Sequence, residues 1–127
     1  DLRRSFPPHE ASVIMCVLTL QFTPLEYRQE ILSRVFDSMR PGGAFILIEK
    51  VLGSSNQMNR TLVDEYYALK GKNGYSEEDI ERKRLSLEGV LVPVTAKWNE
   101  ELLTKTGFAH VECFWRWMNF GGWLAIK

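Results

Sequence analysis

The segment from Met39 to Lys50 constrains the fold of this chain more than any other. Its sequence is MRPGGAFILIEK, in which a proline and two glycines stand directly before an apolar run that ends in charge. Proline cannot continue a helix, and glycine adopts the backbone conformations of tight turns, so Pro41-Gly42-Gly43 predicts the end of a preceding helix. The continuous apolar run predicts a buried strand from Ala44 to Leu52.

The residues before this segment complete a strand, helix, strand unit. Ala11 to Leu20 is a continuous apolar run, which predicts a strand that is covered on both faces. Thr23-Pro24-Leu25-Glu26 matches a capping box with proline at the first helical position, and it predicts a helix that runs to about Met39. Two strands joined in this way imply a right-handed parallel crossover.

The residues after Gly53 predict two helices, which together form a helical insertion at about residues 54–92. The first has apolar residues at helical spacing and stops before Gly71-Lys72-Asn73-Gly74. The second begins at Ser76, extends to about Glu88 and carries the basic cluster Arg82-Lys83-Arg84. This insertion separates the strand, helix, strand unit from the C-terminal elements.

The C-terminal residues predict one more helix and an antiparallel hairpin. Thr95 can cap the helix, and Gly107 can end it in a Schellman motif in which Phe108 packs back on the helix. His110 to Met118 and Phe120 to Ile126 predict two strands. They are joined too closely for any arrangement other than a hairpin.

Charge and composition narrow the classes of function. The 127 residues carry 16 basic and 16 acidic side chains, so the net charge offers no footprint for nucleic acid or for an anionic membrane. The apolar runs are too short to span a bilayer, and the N-terminal residues lack a signal-peptide core. We therefore expect a cytoplasmic protein with neither direct nucleic-acid binding nor a membrane partner.

Several residue types that often mark sites have structural explanations here. His9 and His110 have no partners at ligand spacing, so no metal site is expected. Cys16 and Cys113 lie in apolar stretches with no paired spacing and are interpreted as buried reduced thiols. Alternation along the first hairpin strand predicts that four side chains share one face of the sheet. They are Val111, Cys113, Trp115 and Trp117. We interpret this face as a surface for core or dimer packing and not for base stacking.

The predicted elements resemble the C-terminal half of the Rossmann-like fold of class I S-adenosylmethionine (SAM) methyltransferases. The resemblance implies an α/β fold with a mixed sheet, a helical insertion and a terminal antiparallel hairpin whose last strand inserts between its two predecessors. In such enzymes a glycine-rich SAM-binding loop follows the first strand and an acidic residue follows the second, and neither is found in this sequence. We expect one methyltransferase-like domain over residues 1–127, incomplete by itself, with its first strand at an apolar sheet edge.

The chain is similar, more narrowly, to the carboxy-SAM synthase group. Those enzymes, also described as tRNA wobble-uridine methyltransferases, convert SAM and prephenate into carboxy-SAM and phenylpyruvate. The chain departs from their pattern at Tyr66-Tyr67, where histidines are common, and at Gly89, which replaces an asparagine. The matching motifs occur in the same order and cover nearly the whole chain. They are Thr19-Leu20-Gln21-Phe22, Pro41-Gly42-Gly43, Glu49-Lys50, Asn73-Gly74-Tyr75-Ser76-Glu77, Lys83-Arg84, Leu87-Glu88, Gly107-Phe108 and Asn119-Phe120-Gly121.

The resemblance implies a SAM or carboxy-SAM site at the exit of the first strand. Asp1 and Leu2 resemble the pair that recognises the adenine ring, and the alternative for Asp1 is a solvated terminal residue. Tyr75 has two interpretations, a hydrogen bond to the ligand or an anchor for its own loop. The residues expected beside the sulfonium are Leu18, Thr19, Gln21 and Phe22. For Thr19 and Gln21, the alternative role is structural hydrogen bonding.

Arg84 is the predicted catalytic residue. The resemblance implies that this arginine pairs with the carboxylate added to SAM, and that it reaches the site from the neighbouring subunit of a homodimer. A guanidinium fork binds a carboxylate through two parallel hydrogen bonds, which a lysine point charge cannot do. The alternative is a solvated helix face, which is the usual setting for an arginine beside Arg82 and Lys83.

Three functions remain open. The first is a transferase of the carboxy-SAM synthase type in tRNA wobble-uridine modification, with prephenate as its small-molecule substrate. The second is ordinary methyl transfer from SAM to a small acceptor. The third is a non-catalytic methyltransferase half that acts as a dimerisation module. In both enzymatic interpretations the 127-residue chain alone is expected to be inactive, because it lacks the glycine-rich loop.

Overall fold

A computed structural model describes residues 10–127. Asp1, Leu2 and His9 lie outside the described residues. The elements follow in the order β1 (Ala11–Val17), α1 (Leu25–Asp37), β2 (Met39–Leu52), α2 (Asn56–Lys72), α3 (Glu77–Ser86), β3 (Val94–Thr95), α4 (Ala96–Thr106), β4 (His110–Trp117) and β5 (Phe120–Ile126). A short 3-10 helix follows β1 at Leu20–Phe22.

The strands form a mixed sheet in the order β1, β2, β5, β4, and β3 pairs with the end of β2. β1 and β2 run parallel, with Ile14 opposite Phe45. β5 is antiparallel to both of its neighbours, and Trp123 stands opposite Leu47 on one side and Cys113 on the other. The last strand therefore inserts between its two predecessors, and the predicted α/β fold with a terminal hairpin and a helical insertion is confirmed.

The hydrophobic core lies between one face of the sheet and helices α1 and α4. Side chains of a strand alternate between the two faces, so only every second strand residue enters this core. Phe45, Leu47 and Trp123 are fully buried there, and they pack with Leu32 from α1 and Leu103 from α4. We call this side of the sheet the covered face.

The other side of the sheet, the open face, is apolar at the edge strand β1. Val13, Met15 and Val17 are 54%, 61% and 44% exposed. The prediction that this strand is covered on both faces is therefore wrong for the described residues. The physical reason is that α1 and α4 pack on the opposite side, while β1 lies at the edge of the sheet. The predicted apolar edge at this strand is confirmed.

The boundaries of α1 differ from the prediction. Pro24 is its N-cap and no side-chain capping bond is present, so the predicted capping box is wrong. The preceding 3-10 turn already uses the Thr23 N–H, which donates to the Leu20 carbonyl at 2.9 Å. The helix ends at Asp37, and Met39 already belongs to β2.

The turn predicted at Pro41-Gly42-Gly43 lies within β2. The register between β1 and β2 shifts between Ala11, which pairs with Met39, and Val13, which pairs with Ala44. Gly42 has a φ of +73°, in the left-handed region that favours glycine. The glycine turn is therefore an irregularity in the strand and not a loop before it.

The predicted helix starts at Ser76 and Thr95 and the predicted stop at Gly107 are confirmed, whereas α2 runs to Lys72, past its predicted stop before Gly71, and α3 ends at Ser86, before Glu88. The Ser76 hydroxyl accepts a hydrogen bond from the Asp79 N–H at 3.1 Å, and the Thr95 hydroxyl accepts one from the Trp98 N–H at 3.2 Å. Gly107 closes α4 with a φ of +113°, a conformation that glycine adopts without strain.

A bulge in β4 changes the faces of two tryptophans. The register of β4 against β5 shifts between Cys113 and Trp115, which pairs with Gly122. Val111 and Cys113 pack on the covered face, whereas Trp115 and Trp117 fall on the open face and are 38% and 41% exposed. The prediction that these four side chains share one face is wrong, because the extra residue of a bulge reverses the alternation.

Candidate functional site

The loop after β1 carries three exposed residues of the predicted cofactor site. Leu18 is 39% exposed and has a φ of +49°, which is strained for a leucine. Its N–H donates to the Ile48 carbonyl at 2.7 Å, which ties the strained residue to β2. Thr19 and Phe22 are also exposed, and the Thr19 hydroxyl donates to the Val17 carbonyl at 2.8 Å. The loop thus presents one polar and two apolar side chains at the carboxyl end of β1.

Gln21, the fourth residue predicted in this loop, is only 3% exposed. Its Oε1 accepts a hydrogen bond from the Lys50 N–H at 2.7 Å. Its carbonyl accepts hydrogen bonds from the Val92 N–H at 2.9 Å and from Arg28 Nη2 at 3.3 Å. Gln21 therefore makes the structural hydrogen bonds that the sequence left open as an alternative to lining the site.

Two buried charged residues form hydrogen bonds that hold this loop in place, and sequence reasoning missed this role for both. Glu49 and Arg28 are 2% and 1% exposed. Glu49 Oε1 accepts a hydrogen bond from the Leu20 N–H at 3.1 Å. Arg28 donates to the Thr23 carbonyl at 2.9 Å and to the Val92 carbonyl at 2.6 Å. The loop is therefore held by side chains from both β2 and α1.

The protonation of Glu49 reflects this buried setting. Burial raises the pKa of Glu49 to about 7, against the opposing effects of the Arg28 charge and of backbone N–H groups in the loop. The same environment raises the pKa of the Cys16 thiol to about 11, mainly through burial and secondly through the Glu49 charge. The sequence signals for Glu49 are its place as a charged residue within a buried apolar strand and its membership of the matching motif Glu49-Lys50, and neither shows which hydrogen bond it accepts.

The cysteines and histidines offer no metal centre in the part of the chain that the structure describes. Cys16 and Cys113 are both free and partly buried. Among residues 10–127, no group of three His, Cys, Asp or Glu side chains is placed to hold a metal ion. Over the same residues, no helix combines the length and the hydrophobicity needed to cross a bilayer.

Arg84 lies in a separate cleft of about 310 Å³, which we call the Arg84 cleft. Its lining includes Lys50, Tyr67 and Asn119, and none of the loop residues 18–22. Arg84 Nε and Nη2 donate to the two carboxylate oxygens of Glu81 at 2.8 and 2.6 Å. Hydrogen bonding from the Arg84 guanidinium lowers the pKa of Glu81. Within the described residues, the structure does not bring Arg84 together with the loop after β1.

The wall of the Arg84 cleft contains an unused hydrogen-bond acceptor. Asn119 is 8% exposed, and its Oδ1 has no hydrogen-bond partner among the described residues. Its backbone carbonyl accepts from the Val51 N–H at 2.8 Å, which fixes the residue at the end of β2. A buried polar atom without a protein partner is uncommon in folded proteins, and a water molecule or a ligand group can supply the missing donor here.

Tyr75 is 57% exposed beside the C-terminal end of α2. Its N–H donates to the Lys70 carbonyl at 3.2 Å, and the Lys70 ammonium lies 5.9 Å from the centre of its ring. Tyr75 is therefore anchored through its backbone, and it lines a cleft of about 770 Å³. Tyr66, at a position where the chain departs from the carboxy-SAM synthase pattern, packs against Phe120 with ring centres 5.2 Å apart.

Comparison with curated proteins identifies relatives with one shared name. The chain is 42% identical over 122 residues to the carboxy-S-adenosyl-L-methionine synthase of Wolinella succinogenes, which covers 96% of this chain and 51% of that protein. It is 41% identical over 127 residues to the protein of the same name from Methylococcus capsulatus, with 100% and 52% covered. The chain thus spans about half the length of the curated relatives it matches. No protein-family model matches it.

Comparison with solved structures shows the fold. Human N-acetylserotonin methyltransferase in complex with SAM superposes with a TM-score of 0.62 at 18% identity, covering 100% of this chain and 32% of that protein. The protein PigF with SAH gives a TM-score of 0.67 at 16% identity, with 100% and 34% covered. The predicted resemblance to the C-terminal part of a class I methyltransferase fold is confirmed.

Proposed function

Because this chain is related in sequence to about half of a carboxy-SAM synthase and has the fold of SAM-dependent methyltransferases, we propose that the protein is a SAM-utilising transferase of the carboxy-SAM synthase type. The observation that carries the proposal is the 42% identity across 96% of the chain. The proposal includes a homodimer, a cytoplasmic location, a role in tRNA wobble-uridine modification, and one domain over residues 1–127 with its helical insertion at about 54–92.

The loop after β1 is the part of the described structure that fits SAM. Ligands of open α/β sheets bind outside the carboxyl ends of the parallel strands, which is where Leu18, Thr19 and Phe22 are exposed. The hydrogen bonds that the Glu49 and Gln21 side-chain oxygens accept, from the Leu20 and Lys50 N–H groups, hold this loop against β2 before any ligand arrives. A wall that is already fixed loses little conformational entropy on binding.

The chemistry divides between the ligands and the protein. SAM supplies the sulfonium and the methyl carbon, which gives up one proton and receives the new carboxyl group. Prephenate supplies that carboxyl group, loses its ring hydroxyl as hydroxide, which takes up the proton to form water, and leaves as phenylpyruvate. The protein's own residues bind the two compounds, exclude water and stabilise negative charge with cationic side chains. Arg84 is the proposed partner of the transferred carboxylate, acting across the dimer.

Arg84 can change partners because its present ion pair is exposed. Its side chain retains 42% of its accessible surface while it pairs with Glu81. Exposed ion pairs contribute little to stability, whereas a ligand carboxylate in a desolvated site binds the same guanidinium fork more strongly. The Glu81 carboxylate thus holds the arginine in place until a ligand carboxylate replaces it.

The test of this proposal compares the affinity of the full-length protein for carboxy-SAM and for SAM. Arg84→Ala should weaken carboxy-SAM by at least about 30-fold, the lower end of the effect of removing one partner of a buried charge pair, and leave SAM nearly unchanged. Arg82→Ala is the matched control, because Arg82 lies on the same helix and pairs only with Asp79 among the described residues. Calorimetry measures both affinities, and mass spectrometry of the product formed from SAM and prephenate identifies the reaction.

Equal and small losses for both ligands would return Arg84 to a solvated helix face and favour ordinary methyl transfer to a small acceptor. One observation favours that second function, namely the departures at Tyr66-Tyr67 and Gly89 from the carboxy-SAM synthase pattern. The exposed apolar side of β1 favours the third function, a dimerisation module. In that case the full-length protein would form neither carboxy-SAM nor a methylated product.

A further inference from the structure

Two lysine ammonium groups approach the same tyrosine ring near the end of β2. Lys50 Nζ lies 5.1 Å from the centre of the Tyr66 ring, and Lys70 Nζ lies 4.9 Å from it. Lys70 also lines a cleft of about 770 Å³ together with Lys83, Tyr66, Tyr75 and the Arg82–Asp79 ion pair, and we call it the lysine cleft. Lys50 of β2 and Lys70 and Lys83 of the helical insertion thus bring positive charge close to the rings of Tyr66 and Tyr75.

None of the three lysines of this group has a carboxylate within ion-pair distance among the described residues. The neighbouring arginines differ, since Arg82 pairs with Asp79 and Arg84 pairs with Glu81. The repulsion among the lysines is visible at Lys50, where burial lowers the pKa and the positive charges of the other two lower it further. This part of the chain therefore holds positive charge that the described residues do not neutralise.

The aromatic rings position the lysine ammonium groups but leave N–H donors of those ammonium groups without an oxygen acceptor. Lys70 Nζ lies over Tyr66, Tyr67 and Tyr75 at 4.9, 5.8 and 5.9 Å. A cation over a ring face is attracted to it, but each ammonium has three N–H donors that prefer oxygen acceptors. Donors fixed in position and without acceptors favour the binding of an anion.

We propose that the lysine cleft, with Lys70 and Lys83 as its cations and Tyr66 and Tyr75 as its aromatic wall, binds a small organic dianion, and that Lys50, whose ammonium lies over the Tyr66 ring, adds positive charge beside it. Two anionic groups on one ligand can bridge separate ammonium groups and remove the repulsion among them, while the carbon skeleton packs on the rings. The inference rests on the proposed function and deepens it, since the carboxyl donor in that reaction is a dicarboxylate.

The lysine cleft is distinct from the Arg84 cleft but adjacent to it. The two clefts share no lining residue, and Lys83 and Arg84 are neighbours on α3 that line one cleft each. Lys50 connects them, because it lines the Arg84 cleft while its ammonium lies over the Tyr66 ring. A dianion in the lysine cleft would therefore lie beside the proposed partner of the transferred carboxylate.

The experiment measures binding of prephenate, and of inorganic phosphate in a parallel titration, to the full-length protein by calorimetry. Lys70→Gln and Lys83→Gln should each weaken prephenate binding about tenfold, as expected for one partly exposed charge contact. Lys72→Gln is the matched control, because Lys72 is an exposed lysine in the same last turn of α2 and has no described aromatic contact. Unchanged SAM affinity in every variant verifies that the fold is intact.

The outcomes separate the cleft from the reaction. Equal effects of all three substitutions, or no effect of any, would overturn the lysine cleft as a site. Phosphate that competes with prephenate in the wild type, and that is weakened by the same two variants, supports an anion site there. Phosphate binding without prephenate binding would overturn the dicarboxylate assignment. Carboxy-SAM formation with a KM for prephenate that the variants do not change would reject the cleft while retaining the proposed function. Prephenate binding without carboxy-SAM formation would retain the lysine cleft as a site while rejecting the proposed function.

Discussion

The covered and open faces of the sheet are built from the same strands but differ in what packs on them. Phe45 and Leu47 of β2 are fully buried under α1 and α4. Val13, Met15 and Val17 of β1 leave about half of their surface exposed on the other side. A continuous apolar strand needs a packing partner on each of its two faces. For β1, the described residues supply a partner on the covered face only.

The difference separates what stabilises this chain from what the chain still exposes. The covered face supplies the buried apolar area on which folding depends. The open face supplies apolar area that is available to another polypeptide surface. Substitutions on the two faces should therefore affect different measurable quantities, namely stability and association.

The largest effect is expected on the covered face. Trp123→Ala removes a fully buried side chain whose Nε1 also donates to Glu100 at 3.2 Å. We expect it to lower the free energy of unfolding by about 3 to 5 kcal/mol, as is usual for large aromatic residues in a core. Met15→Ala, on the open face, is the matched substitution and should change stability by less than about 1 kcal/mol. Urea denaturation of the 127-residue chain measures both, and equal effects would contradict the distinction between the faces.

The sequence predicted most elements, because their signals are local. Ser76, Thr95 and Gly107 mark helix ends through their own side chain or backbone, and the structure confirms each. The face of Trp115 could not be predicted, because it depends on a bulge relative to β5. The covering of β1 was also missed, because apolar residues show that a surface can be buried but not that a partner is present.

The same limit applies to the candidate site. The exposed loop residues were candidates because they follow a strand, which is a local signal. Glu49 bonds the N–H of Leu20, 29 residues away, and Arg28 bonds the carbonyl of Val92, 64 residues away. In the sequence, Arg28 is one of several charged residues on an amphipathic helix, and nothing local shows that the fold buries it.

A smaller effect is expected for association through the open face. The exposed side of β1 should make the 127-residue chain form dimers or larger assemblies, because burying one such side chain contributes about 1.5 to 3 kcal/mol. Met15→Lys should weaken this association about tenfold or more, since it places a charge in the apolar surface. Glu101→Lys, on the exposed surface of α4, is the control. Sedimentation measures the assembly, and a folded wild-type monomer at micromolar concentration would show the expectation to be wrong.

The two faces also differ in charge at the end of β2, where Glu49 lies on the covered face and Lys50 on the open one. Burial raises the pKa of Glu49 from its ordinary value of 4.5 to about 7. The folded state thus holds this proton more tightly than the unfolded state, so stability should fall as the pH rises through the window from 4.5 to about 7. For one proton the slope is at most about 1.4 kcal/mol per pH unit.

Glu49→Gln tests this slope without removing the hydrogen bond to the loop, because a glutamine oxygen can still accept from the Leu20 N–H. The variant should lose the decline in unfolding free energy that the wild type shows across the window, and at pH 7 it should be the more stable protein. Glu112→Gln, an exposed carboxylate on β4, should keep the wild-type profile. An unchanged profile in Glu49→Gln would mean that Arg28 and the loop amides offset the burial of Glu49 completely. The covered face would then hold the ionised carboxylate as readily as water does, and the contrast between the two faces would be one of packing alone.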